Sequence, residues 1–171
     1  KSELMSRNGK PWTSKFPGIA KACNELAEAC VLDGEVVALR EDGTTDFQSL
    51  QNFLGDGPRA PLAYYAFDLL YLNGFDLTKC TLRDRKEALK QVLGNTQNAL
   101  VRYSEHIEGN GEGVYSNSCK LGLEGVVSKQ ADAAYIQKRS RSWVKTKCLK
   151  GQEFVIGGYT DPSGSRSAFG A

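Results

Sequence analysis

Residues 120–148 read KLGLEGVVSKQADAAYIQKRSRSWVKTKC, and the organisation of the chain follows from them. Gly125 to Lys129 reads as a short apolar strand entered by Glu124, and Ser142 to Lys147 as a second strand. The basic loop KRSR at 138–141 separates them. Residues two apart on a strand project to the same face, so Lys145 and Lys147 point together. Two ammonium groups so placed repel unless an anion lies between them, and the spacing suits a phosphate. Glu124 and Lys129 put opposite charges at the ends of the first strand, where they could bracket a phosphate and its metal ion. Each feature taken alone also fits a solvated strand.

Upstream, other segments supply the rest of a domain. Ile19 to Ala29 has the apolar spacing of an amphipathic helix. Leu32 to Leu39 reads as a strand, and EDGTTD at 41–46 as a hairpin or loop with an Asp-Gly turn. Asp46 can cap a helix through Phe47, Leu50 and Phe53 that GDGP stops. Leu62 to Leu72 is an aromatic-rich buried strand closed by Asn73-Gly74, and RDRKEALKQVL from Arg83 is a charged helix. Leu100 to Tyr103 reads as a strand and Gly113 to Leu121 as a helix with Gly122 as its cap. Ser2 to Arg7 alternates like a strand already in progress. Irregular alternation with hairpins predicts an α+β domain, antiparallel sheets flanked by helices.

Leu32-Asp33-Gly34-Glu35 places two carboxylates at the mouth of a strand, where they could bind sugar hydroxyls or a metal. A turn aspartate with a solvent-facing glutamate is the plainer reading. Together the segments supply metal-ligating carboxylates, phosphate-binding lysines and a stacking aromatic, the set that phosphoryl chemistry on a nucleotide requires. No G-x-x-x-x-G-K-[ST] loop is present. Gly109 and Gly111 are too isolated to argue a dinucleotide site, and His106 reads as a surface or structural residue.

Composition bounds these readings. The 171 residues, 40% hydrophobic and 25% charged, are ordinary for a globular chain. With 22 Lys+Arg against 20 Asp+Glu, any nucleic-acid surface must be local. Lys15, Lys21, Arg59, Lys150 and the KRSR loop are candidates for DNA phosphates. The five cysteines, Cys23, Cys30, Cys80, Cys119 and Cys148, show no C-x-x-C pair, so free thiols in a reducing cytoplasm are expected. No apolar run reaches membrane-spanning length and the first residues have no signal-peptide core.

SRNG at 6–9, LDGE at 32–35, YAFDLLYLNG at 65–74, EGVVSK at 124–129 and WVKTKC at 143–148 fall in the order of the covalent nucleotidyltransferase motifs. The chain thus resembles ATP-dependent DNA ligases, RNA ligases and capping enzymes. Residues 120–148, followed by FVIGGYTDPSGSRSAFGA, are most similar to the ligase domain of bacterial ligase D, which acts in non-homologous end joining. The resemblance implies an ATP-grasp-like ligase core and ATP chemistry through a lysine–AMP intermediate with Mg²⁺ or Mn²⁺. Nicked or broken double-stranded DNA is the implied substrate. A Ku-like partner, fused polymerase and phosphoesterase domains, a monomer, and a cytoplasmic, nucleoid-associated location also follow from it.

By motif, Arg7 would contact the ribose or the DNA-side phosphate, Glu35 the ribose and a metal, and Phe67 the adenine. Glu124 would be a metal ligand, and Lys145 and Lys147 would be catalytic and grip the α-phosphate. Lys129, Asp33, Asp68 and Arg139 would support the site. The nucleophile of this family lies in a K-x-D-G segment, and none occurs here. Both ends read as cut, and the chain as written is expected not to form lysine–AMP. The expected division is 1–148 for adenylation and 149–171 for the first strand of an OB-fold. An RNA ligase, a capping guanylyltransferase and a non-catalytic nucleotide- or nick-binding module are the alternatives.

Overall fold

The computed structural model describes residues 1–148 except 56, 59, 95–97 and 139. The expected OB-fold strand and the boundary before it therefore lie outside the described residues, as do Arg59, Arg139 and Lys150. Ten elements follow one another: α1 (Pro17–Cys23), β1 (Cys30–Ala38), α2 (Phe47–Leu54), β2 (Leu62–Leu72), β3 (Phe75–Asp76), α3 (Leu82–Gly94), β4 (Val101–Tyr103), α4 (Gly111–Lys120), β5 (Gly125–Lys129) and β6 (Trp143–Lys147).

β1 and β2 form a long antiparallel pair, with β3 on one end of β2 and β4 along it. The β1–β2 ladder shifts twice: Leu70 and Phe67 of β2 have no partner residue on β1. A bulge of this kind bends the strand and re-aims the side chain it carries. The sheets are antiparallel and flanked by helices as expected, with one parallel neighbour: β4 joins β2 with Tyr65 opposite Arg102. The reason is the intervening α3, because parallel neighbours need a crossover connection. A second, two-stranded antiparallel sheet pairs β5 with β6 from Gly125↔Lys147 to Lys129↔Trp143.

The core lies where α1 and α3 cover the first sheet, with Ala22, Ala66, Leu69, Leu89 and Val101 buried together. Asp46 caps α2 as expected, its carboxylate accepting from the Gln48 and Ser49 amides at 3.0 and 3.3 Å. Gly122 follows α4 at φ +77°, which glycine adopts without strain.

Three expectations need correction. α1 ends at Cys23 because the amides of Glu25 and Leu26 bond three residues back, in tight turns rather than helix. Ser2 to Arg7 is not a strand: a single bridge links Met5 to Pro11 as the Trp12 amide donates to the Leu4 carbonyl at 2.8 Å. Finally, Cys119 and Cys148 form a disulfide across a sequence separation of 29, their Cα atoms 5.4 Å apart, while Cys23, Cys30 and Cys80 stay free. Folding brings the end of α4 to the residue after β6, which spacing along the chain does not reveal. No helix of the described residues is long and apolar enough to cross a membrane.

Candidate functional site

The β5–β6 hairpin carries the densest charge. Its register sets Lys145 opposite Val127 and Lys147 opposite Gly125, one residue beyond Glu124. Both ammonium groups meet the Glu124 carboxylate, Lys145 Nζ at 3.0 Å and Lys147 Nζ at 3.3 Å. The two lysines share a face as their spacing requires, and the anion between them here is Glu124. Hydrogen bonds from Lys145 and then Lys147 hold the Glu124 carboxyl below its ordinary range. All three side chains are exposed, so this cluster is open to a phosphate.

Backbone contacts fix the cluster from behind. The Cys148 amide donates to the Glu124 carbonyl at 2.8 Å, and the Tyr115 hydroxyl of α4 donates to the Lys147 carbonyl at 3.2 Å. Gly125 explains the glycine of EGVVSK: at φ +155°, a Cβ there would come 2.2 Å from the Thr146 carbonyl oxygen. Any side chain would push the two strands apart beside Glu124. The glycine of LDGE answers to the same constraint, since a Cβ at Gly34 would lie 2.5 Å from the Tyr64 ring.

Lys129, at the other end of β5 from Glu124, lies against aromatic rings. Its ammonium sits 4.1 Å from the centroid of Phe67 and 3.6 Å from that of Trp143, and the two rings meet edge-on at 5.9 Å. Burial lowers the Lys129 pKa to about 8; Asp68 and Asp33 act against the fall, while Lys86 and Arg85 reinforce it. The ring faces also favour the ammonium form. Below about 8 the lysine is protonated folded or unfolded, and the burial penalty is fully present. Between that pH and the ordinary 10.5 only the unfolded chain holds the proton, so this contribution to stability rises with pH. With Trp12 replaced by Phe, Trp143 is the sole tryptophan. Its emission should then change as pH rises through about 8, and Lys129→Met should abolish the step. A transition shared by both chains would show that Lys129 does not titrate there.

The carboxylates of LDGE have separate fates. Asp33 is half-buried and accepts from the Tyr135 hydroxyl at 2.7 Å. Glu35 is exposed on β1, opposite Tyr65, whose hydroxyl accepts from Arg102 of β4 at 3.2 Å. Asp68 is buried as the partner of Arg85, with contacts of 2.7 and 2.9 Å. Arg7 is exposed at the SRNG turn, where the Gly9 amide donates to the Ser6 carbonyl at 2.8 Å. His106 is exposed and meets Tyr103 and Glu108, a surface role as expected.

Sequence reasoning missed Tyr135, Arg85, Arg102 and Tyr115. Arg85 lies in a helix whose charges look solvated, and Tyr135 in an irregular stretch with no period, so neither carried a local signal. Among the described residues no three His, Cys, Asp or Glu side chains gather as a metal site. A magnesium-like ion keeps waters and needs only one or two carboxylates beside substrate phosphates, and the exposed Glu124 could supply one.

A family model described as the ATP dependent DNA ligase domain matches residues 1–147. The multifunctional non-homologous end joining protein LigD of Pseudomonas aeruginosa is 41% identical over 169 residues, 98% of this chain and 20% of that protein. The LigD DNA repair protein of Mycobacterium tuberculosis is 37% identical over 96% of this chain and 21% of its own length. The chain thus spans about a fifth of these curated relatives. Among solved structures, a mycobacterial DNA ligase D complexed with ATP and MES superposes with a TM-score of 0.77 at 35% identity, covering 93% of this chain and 52% of that one. The ligase domain of M. tuberculosis LigD gives 0.74 at 35% identity, covering 85% and 47%.

Proposed function

Because this chain belongs to the ATP-dependent DNA ligase domain family, we propose that it is the nucleotide-handling part of a bacterial end-joining ligase, binding ATP on the β5–β6 hairpin for transfer of AMP to DNA. The observation that carries this reading is the grip of Lys145 and Lys147 on Glu124, at 3.0 and 3.3 Å. Two cations around one carboxylate leave a net positive site. An α-phosphate would take the place of that carboxylate between the lysines, and Glu124 would then be free to hold Mg²⁺ or Mn²⁺, which would supply charge neutralisation for the phosphates. Phe67, re-aimed by its bulge, offers a ring to adenine, and exposed Glu35 can take the ribose. Arg7 stands ready for the ribose or a DNA phosphate.

In this reading the amine of a lysine in a K-x-D-G segment attacks the α-phosphate and expels pyrophosphate. AMP then passes to the 5′-phosphate at a nick, and the 3′-hydroxyl displaces it to seal the strand. Residues 1–148 form the adenylation unit. Nicked or broken duplex is the substrate, held through exposed Lys15, Lys21, Lys138 and Arg141. The whole protein works as a monomer in the cytoplasm, at the nucleoid, beside a Ku-like partner and fused polymerase and phosphoesterase domains.

The test is intact mass after incubation with ATP and Mg²⁺. A polypeptide in which a K-x-D-G segment precedes Lys1 should gain one AMP; the 171-residue chain should bind ATP without gaining mass. If a preparation free of prebound AMP gains nothing, the reading gives way to a non-catalytic nucleotide-binding module.

A further inference from the structure

The segment between β5 and β6 ties the second sheet to the first. The Arg83 amide donates to the Ala131 carbonyl at 3.0 Å, and the Tyr135 amide to the Thr78 carbonyl at 2.8 Å. Arg85 reaches the Ala133 carbonyl at 3.2 Å. These contacts anchor the segment to α3 and the turn before it. Tyr135 alone among them also reaches β1, through the hydroxyl it donates to Asp33 at 2.7 Å. Its ring stands edge-on to Trp143 at 6.0 Å, and the Arg85 guanidinium lies 5.8 Å from it. Trp143 in turn meets Phe67 and Lys129. One hydroxyl thus links the LDGE strand to the aromatic group that includes Phe67.

We propose that Tyr135 is a positioning residue for nucleotide binding: its bond to Asp33 clasps the β5–β6 hairpin over β1–β2 and holds Trp143 and Lys129 against Phe67, so that the base site is formed before ATP arrives. The positioning role rests on the ATP-binding reading above. The clasp itself does not, because the Tyr135–Asp33 bond is a contact within the fold. A phenylalanine would fill the same space, so packing does not require the hydroxyl. Burial, then the hydrogen bond to Asp33, raises the Tyr135 pKa, which keeps the hydroxyl a donor at neutral pH. Pre-formed sites bind more tightly because less ordering remains to be done on association.

The experiment uses the 171-residue chain with Trp12→Phe, so that Trp143 alone reports. Tyr135→Phe, Asp33→Ala, Asp33→Asn and the double variant Tyr135→Phe/Asp33→Ala are compared well below their melting temperatures. Without nucleotide, Tyr135→Phe should make Trp143 more accessible to acrylamide. In an ATP titration it should weaken affinity by roughly 10- to 100-fold, the range of a lost hydrogen bond to a charged group. Asp33→Asn keeps an acceptor and should lie nearer the parent. The double variant should be no worse than either single one, since both remove the same bond. Additive losses, or unchanged affinity and unchanged quenching in Tyr135→Phe, would overturn the proposal. If the parent itself binds no ATP, the function proposed above and the positioning role fall together. The quenching comparison still decides whether the clasp exists.

Discussion

Replacing Arg85 by methionine is expected to cost about 3–5 kcal/mol of stability, the penalty of leaving one member of a buried ion pair alone. Arg85 and Asp68 have no exposed side-chain surface, and the guanidinium grips both carboxylate oxygens, Nε to Oδ1 at 2.7 Å and Nη2 to Oδ2 at 2.9 Å. Arg85 also donates to the Cys80 carbonyl at 2.6 Å and to that of Ala133. Methionine fills much of the same volume but satisfies none of these acceptors. Lysine would keep the charge and lose the planar fork, so Arg85→Lys should recover only part of the loss. Urea unfolding followed by circular dichroism measures each value. The double change Arg85→Met/Asp68→Leu should be milder than Arg85→Met, because no charge is then stranded. A double variant weaker than the single one would show that the pair contributes more than its own neutralisation. An effect of this size is a fifth or more of the stability of an ordinary domain, about 5–15 kcal/mol.

The second large effect concerns chemistry rather than folding. In a polypeptide carrying the K-x-D-G segment, Lys145→Ala or Lys147→Ala should slow AMP transfer by about 10²- to 10³-fold, the range for removing a preorganised charge from a transition state. Both lysines are more than half exposed and, among the described residues, pair with Glu124 alone, so folding should hardly notice their loss. A single-turnover measurement at saturating ATP separates the chemical step from binding. Unchanged melting with a slowed step is the expected pattern. An unchanged step would remove the lysines from the reaction and leave them as partners of Glu124 alone.

Much of the candidate site was legible in the residues. The alternation of Lys145 and Lys147 on a strand required a shared face, and they have one. The capping aspartate of α2, the strand at 62–72 and the EGVVSK strand could be read because caps and periods act within a turn or along one strand. These are local forces, and the sequence displays them directly. The order of five motifs along the chain identified the family for the same reason: each motif is a short run whose chemistry is complete in itself.

Tertiary structure alone decided the rest. It set Lys129 on the rings of Phe67 and Trp143 and paired Glu124 with both lysines. It joined Cys119 to Cys148, and bonded Tyr135 to Asp33 across a separation of 102 residues. A charged side chain takes whichever partner folding brings within reach, and at such separations no period or cap records the choice. The sequence by itself determined which chemistry the chain carries. The packing of two sheets determined which of those groups face one another, because their contacts depend on distances that exist only once the core has formed.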